Sequence, residues 1–306
     1  MRFAVESWAP EYGIAVDGTH LDDTGGSVDV AIEADSDEWA PIAPTPAELP
    51  EVVLFVDGVR RIDARIWFHD DDDVVRPGVC ASVAAGSVMC RGSEAFVHEV
   101  QVQRGFFARS APTAGPIATR HGAYQYFPCA GDTAEDLYLG IHEQMTTVES
   151  HVATGHDADL VVFDGPLRHR NDPKAVGYVK TQQVQYLPDD QQAVVARLAA
   201  GERTPLFLIG GRGTRFSWYV RLPGPRSQPL SGVVRLELPA VGAVPAAAAR
   251  ADAVTVLLQR FASEPHKDPR APQNLYPIGG LEYRLRHLLG DQYLMERALR
   301  TAAVER

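Results

Sequence analysis

The first half of the chain carries apolar and polar residues in patterns typical of β-strands. Val52–Val56 is an unbroken apolar run, and Val59–Ile66 then mixes apolar residues with Arg60, Arg61, Asp63 and Arg65. A continuous run is typical of a buried strand, and mixing of this kind favours a strand with one solvent-facing side, so one strand is predicted over 52–68. Residues 78–90 and 95–107 predict two more strands, and the short connections favour an antiparallel meander.

A helix is predicted next, over residues 133–152. Asp132 is its expected N-cap, and its apolar residues form one stripe at helical spacing: Leu137, Ile141, Met145, Val148 and Val152. At about 100° per residue, Glu149 falls on the shoulder of this stripe and Glu143 nearly opposite it. If a helical carboxylate reaches the sheet, Glu149 is therefore the one expected.

The second half alternates strand-like and helix-like segments, which favours an α/β fold. Strands are predicted at 159–167, 176–179, 205–209, 216–222 and 232–238, and helices at 189–200, 246–261 and 280–303.

The first fifty residues differ from the rest in composition. Residues 1–50 are acidic and rich in Gly and Pro, and we interpret them as a loosely structured N-terminal arm before one domain at 51–306. The formal net charge is −11 overall, but residues 165–306 alone carry +8. This basic half is compatible with a phosphate-backbone partner.

Other features of the composition favour a cytoplasmic protein. The chain has no apolar run long enough to span a membrane, and its first residues lack the apolar region of a signal peptide. Three cysteines without CxxC spacing indicate neither a disulfide framework nor a zinc site.

Two buried apolar runs within the predicted strands end in the same dipeptide, Asp57-Gly58 and Asp164-Gly165. Each alone has two interpretations: an Asp-Gly turn, or a carboxylate that must be compensated by a cation because it ends a buried strand. Their order, with three strands and a helix bearing Glu149 between them, favours a ribonuclease H-like mixed sheet. In that sheet the strand bearing Asp164 returns parallel beside the strand bearing Asp57.

Such a group of carboxylates suits two-metal hydrolysis of a phosphodiester. Two divalent ions can activate a water and stabilise the leaving oxygen, and Mg²⁺ or Mn²⁺ prefers carboxylate oxygens. Asp57 is the predicted bridging ligand, because its strand is central, and Asp164 and Glu149 would each complete one metal site.

The chain also resembles the NurA family of nucleases. The resemblance rests on Phe55–Arg61 (FVDGVRR), Asp159–Leu167 (DLVVFDGPL), Gly177–Thr181 (GYVKT) and Pro272–Glu282 (PQNLYPIGGLE), and it is strongest with the bacterial, high-GC branch. It implies a Mn²⁺-dependent nuclease that acts on DNA ends or single strands in double-strand-break repair. It also implies a homodimer that works with a hexameric HerA-type ATPase. Asp57, Glu149 and Asp164 fall where the acidic residues of the family fall.

The sequence departs from the family in one motif. The family pattern ends in P-x-x-L-x-x-A-H, with the histidine at the metal site, and no such A-H occurs here. The candidates are His266, in a polar loop, and His287, on the last predicted helix. We favour His266 over His287, and a surface histidine without a role is the alternative.

Further residues are candidates for substrate binding. Lys180 ends a strand beside Asp164 and is a candidate contact of the scissile phosphate. Tyr219 is a candidate for stacking on a nucleotide, although a half-buried strand tyrosine is the simpler interpretation. Five arginines are candidates for a phosphate-binding wall: Arg168, Arg170, Arg212, Arg215 and Arg221.

Two other functions are also compatible with the sequence. One is a non-catalytic adaptor that keeps the fold and docks on a translocase ATPase, which the missing histidine and the acidic arm favour. The other is a phosphotransferase of the actin-like relatives of this fold. That function needs a nucleotide-binding glycine loop, for which Gly210–Gly213 is a weak candidate without the Lys-Ser/Thr of a P-loop.

Overall fold

A computed structural model describes residues 1–7, 26–46, 48–70, 72–110, 115–180, 184–211, 213–226 and 228–305. The strands are β1 (Phe3–Val5), β2 (Val28–Asp29), β3 (Val52–His69), β4 (Val75–Arg91), β5 (Glu94–Ala108), β6 (Ile117–Thr119), β7 (Gly122–Pro128), β8 (Leu160–Asp164), β9 (Ala175–Val179), β10 (Phe207–Ile209), β11 (Arg215–Arg221) and β12 (Val233–Pro239). The helices are α1 (Ala134–Val152), α2 (Asp189–Arg197), α3 (Val244–Leu258), α4 (Tyr276–Leu288) and α5 (Gln292–Val304).

The three long strands form the predicted antiparallel meander. β4 lies between β3 and β5 and pairs with both over nearly its full length. Its small apolar residues are almost all buried, because both faces of the sheet are covered here. The register with β3 shifts between Ile62 and Ala64, which marks a bulge in β3.

The helical crossover places β8 beside β3, in parallel. Val53 to Val56 pair with Leu160 to Phe163, and β9 pairs in parallel with β8. The predicted ribonuclease H-like arrangement, an antiparallel meander joined to parallel strands, is therefore confirmed. The sheet then continues, within the described residues, through β12, β11, β10 and β2.

Alternate residues of β3 send their side chains to opposite faces of the sheet. Val53 and Phe55 pack with the core that includes α3 and α4. Leu54 and Val56 pack with the core under α1. The central strands are thus enclosed between two helical layers, which explains their nearly continuous apolar sequence.

Two predictions about helix ends need correction. The N-cap of α1 is Thr133 rather than Asp132: its side chain accepts from the Asp136 N–H, and the Asp136 carboxylate accepts from the Thr133 N–H in return. The single helix predicted over 280–303 is two helices, which are separated at Gly290, with a φ of 79°, and restarted by the cap Asp291.

The described parts of the acidic N-terminal segment are packed on the sheet. β1 pairs with the far end of β3, and β2 pairs with β10. Trp39 is buried. The segment is therefore continuous with the domain in these parts, whereas residues 8–25 and 47 lie outside the described chain. No helix of the described chain is long and apolar enough to cross a membrane.

Candidate active site at the open edge of β3

One edge of β3 is only partly covered by a neighbouring strand. On the side away from β4, β8 pairs with residues up to Val56 and β1 pairs from Ile66 onward. Within the described chain, no strand pairs with residues 57–64 on this side, a length of roughly 25 Å. We call this stretch the open edge. A cleft of about 490 Å³ lies along it.

Asp57 stands where the open edge begins. Its side chain is buried, and Oδ1 accepts the N–H of Gly58 at 2.8 Å. Oδ2 is also buried and has no hydrogen-bond partner in the described structure. Burial raises the pKa of Asp57 well above its ordinary value, and the negative charge of Asp164 raises it further, against the opposing charge of Lys180. An uncompensated carboxylate at this depth is costly.

Asp164 lies beside Asp57 because β8 ends next to β3. Its carboxylate lines the same cleft, and Lys180 Nζ donates to Asp164 Oδ2 at 2.7 Å. The same ammonium donates to Asn274 Oδ1 at 2.8 Å. Burial raises the pKa of Asp164, and Lys180 partly offsets this. The structure therefore brings together three of the predicted residues: Asp57, Asp164 and Lys180.

Glu149 reaches the same region from α1. It is buried on the face of the helix that packs on the sheet, while Glu143 is exposed, as the helical pattern predicts. A Cβ added at Gly58 would lie 2.5 Å from Glu149 Oε1, so the glycine leaves room for this carboxylate. Burial raises the pKa of Glu149 against the charge of Arg170, which donates to Glu149 Oε2 at 2.6 Å.

The opposite wall of the cleft comes from α4 and the loop before it. Arg270, Glu282 and Arg286 line the cleft together with Asp57 and Asp164. Glu282 accepts from Arg270 at 2.7 Å and from Arg286 at 2.8 Å. Its negative charge also raises the pKa of Asp57 and of Asp164.

Sequence reasoning did not single out Glu282, although it ends one of the quoted family motifs. If Pro272 and Leu275 are placed on the proline and leucine of P-x-x-L-x-x-A-H, Gly279 stands at the position of the histidine. Glu282 follows three residues later, nearly one helical turn further along α4. The motif thus indicated the segment, and only the fold indicates which of its side chains reaches the cleft.

The β3 side of the cleft is basic. Arg60 donates a hydrogen bond to the Tyr138 hydroxyl, and its guanidinium lies 4.6 Å from the centre of the Tyr138 ring. His142 is nearby on α1. Burial and, to a smaller extent, the positive charges of Arg168, Arg60 and Arg170 together lower the pKa of His142 to about 3. Arg168 and Arg170, both predicted to bind substrate, therefore lie near Arg60 and Glu149.

The donor set suits a hard divalent cation. Carboxylate oxygens are the ligands that Mg²⁺ and Mn²⁺ prefer, and the unpartnered, buried Oδ2 of Asp57 is an oxygen that a cation would compensate. In the described structure, however, no three His, Cys, Asp or Glu side chains lie close enough to hold a metal ion. Asp164 and Glu149 are instead held by Lys180 and Arg170.

Two other predicted site residues lie away from the cleft. His266 is on an exposed loop, where its Nε2 is 3.7 Å from Glu264 Oε2, and His287 is exposed near the end of α4. Tyr219 is 1 % exposed and stacks on Phe207 with ring centres 5.8 Å apart. Among the residues described around the cleft, none of these three lines it.

Where the structure describes them, the remaining predicted arginines and the glycine loop contact the protein's own residues. Arg215 is buried against Glu237, and Arg221 is buried and donates to main-chain carbonyls, among them that of Leu198. Arg212 lies outside the described residues. Gly210 donates its N–H to Ser27 O, so the described part of the glycine loop packs against the chain's own residues.

Part of the chain that forms this site matches a known protein family. Residues 141–278 match the NurA domain. The match includes Glu149, Asp164 and Lys180, and it begins after Asp57 and ends before Glu282. The resemblance inferred from the motifs is thereby confirmed.

Solved structures similar to this chain are remote in sequence. The NurA nuclease from Sulfolobus solfataricus is 11% identical, with a TM-score of 0.50 over 82% of this chain and 84% of that one. Bacillus subtilis endonuclease V is 12% identical (TM-score 0.33; 80% and 85% covered). Human endonuclease V is 19% identical (TM-score 0.35; 78% and 84% covered). The first of these shows a shared fold. No curated protein matches the sequence.

Proposed function

We propose that this protein is a metal-dependent DNA nuclease that hydrolyses phosphodiester bonds. The observation that carries the proposal is the meeting of Asp57, within β3, and Asp164, at the end of the adjacent parallel strand β8, with one buried carboxylate oxygen of Asp57 left unpartnered. The NurA domain match, and a shared fold with a protein named as a nuclease, support it.

Asp57, Asp164 and Glu149 are the residues that would hold two Mn²⁺ or Mg²⁺ ions. Such ions, when bound, would activate a water and stabilise charge on the phosphate and on the leaving oxygen. Their binding requires the deprotonated carboxylates. The raised pKa values of all three carboxyl groups therefore predict weaker metal binding at acidic pH than unperturbed carboxylates would show.

The basic side chains around the carboxylates would hold the DNA backbone. Lys180 lies within hydrogen-bond distance of Asp164, where its ammonium would contact a phosphate oxygen at the reacting position. Arg60, Arg270 and Arg286 line the cleft and would bind flanking phosphates, and Arg168 and Arg170 would extend this surface on the α1 side. Contacts of this kind position the strand without reading its sequence.

Other parts of the proposal come from the family resemblance. They are action on DNA ends or single strands in double-strand-break repair, a homodimer, a HerA-type ATPase partner and a cytoplasmic location. His266 as a further ligand and Tyr219 as a substrate contact stay predictions. The exposed position of His266 and the burial of Tyr219 give neither of them added support.

Cleavage of labelled single-stranded DNA during a Mn²⁺ titration tests the proposal. Asp57→Asn and Glu149→Gln are expected to lose cleavage, because each removes a ligand charge. Glu143→Gln is the matched control, since Glu143 lies on the same helix and faces solvent. It is expected to retain wild-type activity.

Calorimetry of Mn²⁺ binding provides a second readout that does not depend on cleavage. Asp57→Asn is expected to weaken binding, and Glu143→Gln to leave it unchanged. If the wild type and Asp57→Asn degrade DNA equally poorly and bind Mn²⁺ alike, the nuclease proposal fails. The non-catalytic adaptor would then be the better interpretation.

A further inference from the structure

A second cavity lies at the other end of the open edge. Its volume is about 240 Å³. It shares Ile62, Tyr138 and Ile141 with the carboxylate cleft, so the two cavities are adjacent along β3. We call it the Trp67 pocket. Its other lining residues are Glu6, Arg65, Ile66, Trp67, Pro77, Gly78, Val79, Asp132, Ala134 and Leu137.

The chemistry of the Trp67 pocket suits a flat, apolar group with polar edges. Trp67 is 47 % exposed there, whereas Trp39 and Trp218, the other tryptophans that the structure describes, are buried. Pro77 and Leu137 add apolar walls. Glu6, Arg65 and Asp132 supply hydrogen-bonding groups to the same lining. A nucleobase has this combination of an aromatic face and a polar edge, and stacking of bases on aromatic side chains is a general means of holding single strands.

The distance along β3 connects this pocket to the reacting position. Ile62, where the pocket begins, is five residues beyond Asp57 on the same strand, and Trp67 is ten residues beyond it, which corresponds to about 17 and 34 Å. A stacked nucleic-acid strand advances about 3.4 Å per nucleotide, so about five to ten stacked nucleotides, or fewer extended ones, cover this distance. A base held in the pocket would therefore belong to the strand whose phosphate lies at Asp57.

Arg60 and Tyr138 stand between the two cavities. Tyr138 lines both, and Arg60 lies against its ring. A strand that follows the open edge would pass the Arg60 guanidinium, which suits a phosphate, before it reaches the apolar lining. Along the open edge, the carboxylates of the cleft thus come first, Arg60 follows, and the aromatic lining of the Trp67 pocket comes last.

We infer that the Trp67 pocket binds an unpaired nucleobase of the DNA strand held in the carboxylate cleft. The inference rests on the proposed nuclease function for the identity of this strand. A base in a duplex can enter the pocket only after it unpairs, which costs free energy. The pocket therefore favours single-stranded over duplex DNA.

Binding of two oligomers with the same backbone tests the inference. One is an oligothymidine of about twenty nucleotides, longer than common single-strand site sizes, and the other is an abasic oligomer of equal length. Binding is measured by fluorescence anisotropy in Ca²⁺ without Mn²⁺ or Mg²⁺, and cleavage is measured separately. The wild type is expected to bind oligothymidine more tightly, by about five- to a hundredfold.

Three variants assign the preference to the pocket. Trp67→Ala is expected to lose the preference, and Trp67→Phe to keep most of it, because phenylalanine can still stack. Phe96→Ala is the matched control: Phe96 is a half-exposed aromatic residue on β5 outside the pocket lining, and its removal should leave the preference intact. The thermal midpoint of each variant checks that it is folded.

The results separate the pocket from the nuclease proposal. A wild type that binds both oligomers equally, or a folded Trp67→Ala that keeps the preference, overturns the pocket even if DNA is cleaved. A preference that depends on Trp67 in a protein that cleaves no DNA supports the pocket and contradicts the nuclease proposal.

Discussion

The ionised carboxylate of Asp57 is in an unfavourable environment in the folded protein. It is buried, one of its oxygens has no partner in the described structure, and the charges of Asp164, Glu149 and Glu282 oppose its ionisation. A carboxylate in this position is unfavourable to the metal-free fold, and a bound cation would compensate it. Strained groups of this kind cluster at functional sites.

Asp57→Asn is therefore expected to stabilise the metal-free protein. Loss of the repelled, uncompensated charge should raise the free energy of unfolding by about 1 kcal/mol at neutral pH, and thus the thermal midpoint by about 2 °C. The measurement is thermal unfolding in EDTA. A lower midpoint for the variant would show that the Asp57 charge is compensated in a way that this structure lacks.

The gain in stability should also depend on pH. Because the folded-state pKa of Asp57 is raised above its ordinary value of 3.8, the carboxyl favours the folded state most below that value. This contribution is lost as the pH rises through the raised pKa. The stability difference between Asp57→Asn and wild type should accordingly be small near pH 4 and grow toward neutral pH. A difference that is constant with pH would contradict this account.

The sequence indicated three acidic residues of the cleft better than it indicated the other residues that surround them. Asp57 and Asp164 could be predicted because each ends a buried apolar run, and Glu149 because helical spacing assigns its face. Glu282 and Arg270 carry no such local signal. Their approach to the cleft depends on where α4 packs, which is a long-range property of the fold.

At the scale of elements, the contact between β3 and α1 sets the position of Glu149. Gly58 allows this contact, because its missing side chain leaves room for the Glu149 carboxylate. The requirement is one of space: a Cβ would also lie 3.0 Å from Met145 Cγ. The glycine after Asp57 thus has a reason other than a turn, since β3 continues straight through it.

Gly58→Ala is expected to reduce DNA cleavage by roughly ten- to a hundredfold, because small displacements of a catalytic group have effects of this size. The fold should be retained, since the closest atom, Glu149 Oε1, is the end of a flexible side chain and the other two contacts need shifts of only a few tenths of an ångström. The measurement is the rate of single-strand cleavage at saturating Mn²⁺.

Gly280→Ala provides the matched control. A Cβ at Gly280, on α4, would meet nothing within 4 Å, and alanine favours a helix by about 1 kcal/mol over glycine. This variant should be active and slightly more stable. Equal activity of the two variants would show that Glu149 does not need its present position.

Most elements, including the short strands β8, β9 and β10, could be predicted from the sequence, whereas β6, β7 and the break between α4 and α5 could not. β3, β4, β5 and α1 each carry enough periodic residues to decide their type. β6 and β7 were not predicted, because their partners lie elsewhere in the sheet or across a tight turn. The break between α4 and α5 depends on one glycine and one cap, which the helical pattern of the flanking residues obscures.

In the molecule as a whole, a buried ionic group joins the N-terminal segment to α3 and to the chain that leads into β10. Arg203 is 2 % exposed and donates to Glu33 at 2.7 and 2.9 Å and to Asp252, on α3, at 2.5 Å. Glu33 also accepts the Leu206 N–H. Composition alone predicted a loose arm, because acidic residues in a Pro/Gly-rich segment give no sign of a buried partner 170 residues away.

Glu33→Gln is expected to lower the free energy of unfolding by about 2–4 kcal/mol, because it leaves the buried Arg203 with only one charged partner. Chemical denaturation measures this. Glu38→Gln, an exposed acid of the same segment, should change stability by less than about 0.5 kcal/mol. A small effect of Glu33→Gln would show that the segment contributes little to the fold.

The placement of Asp57 and Asp164 on strands more than a hundred residues apart has a consequence for folding kinetics. The meander of β3, β4 and β5 consists of contacts between neighbouring segments and can form early, whereas β8 docks only after the intervening chain is ordered. The repulsion between the two carboxylates therefore arises late in folding. Divalent cations that bind only the completed site should slow unfolding far more than they speed folding.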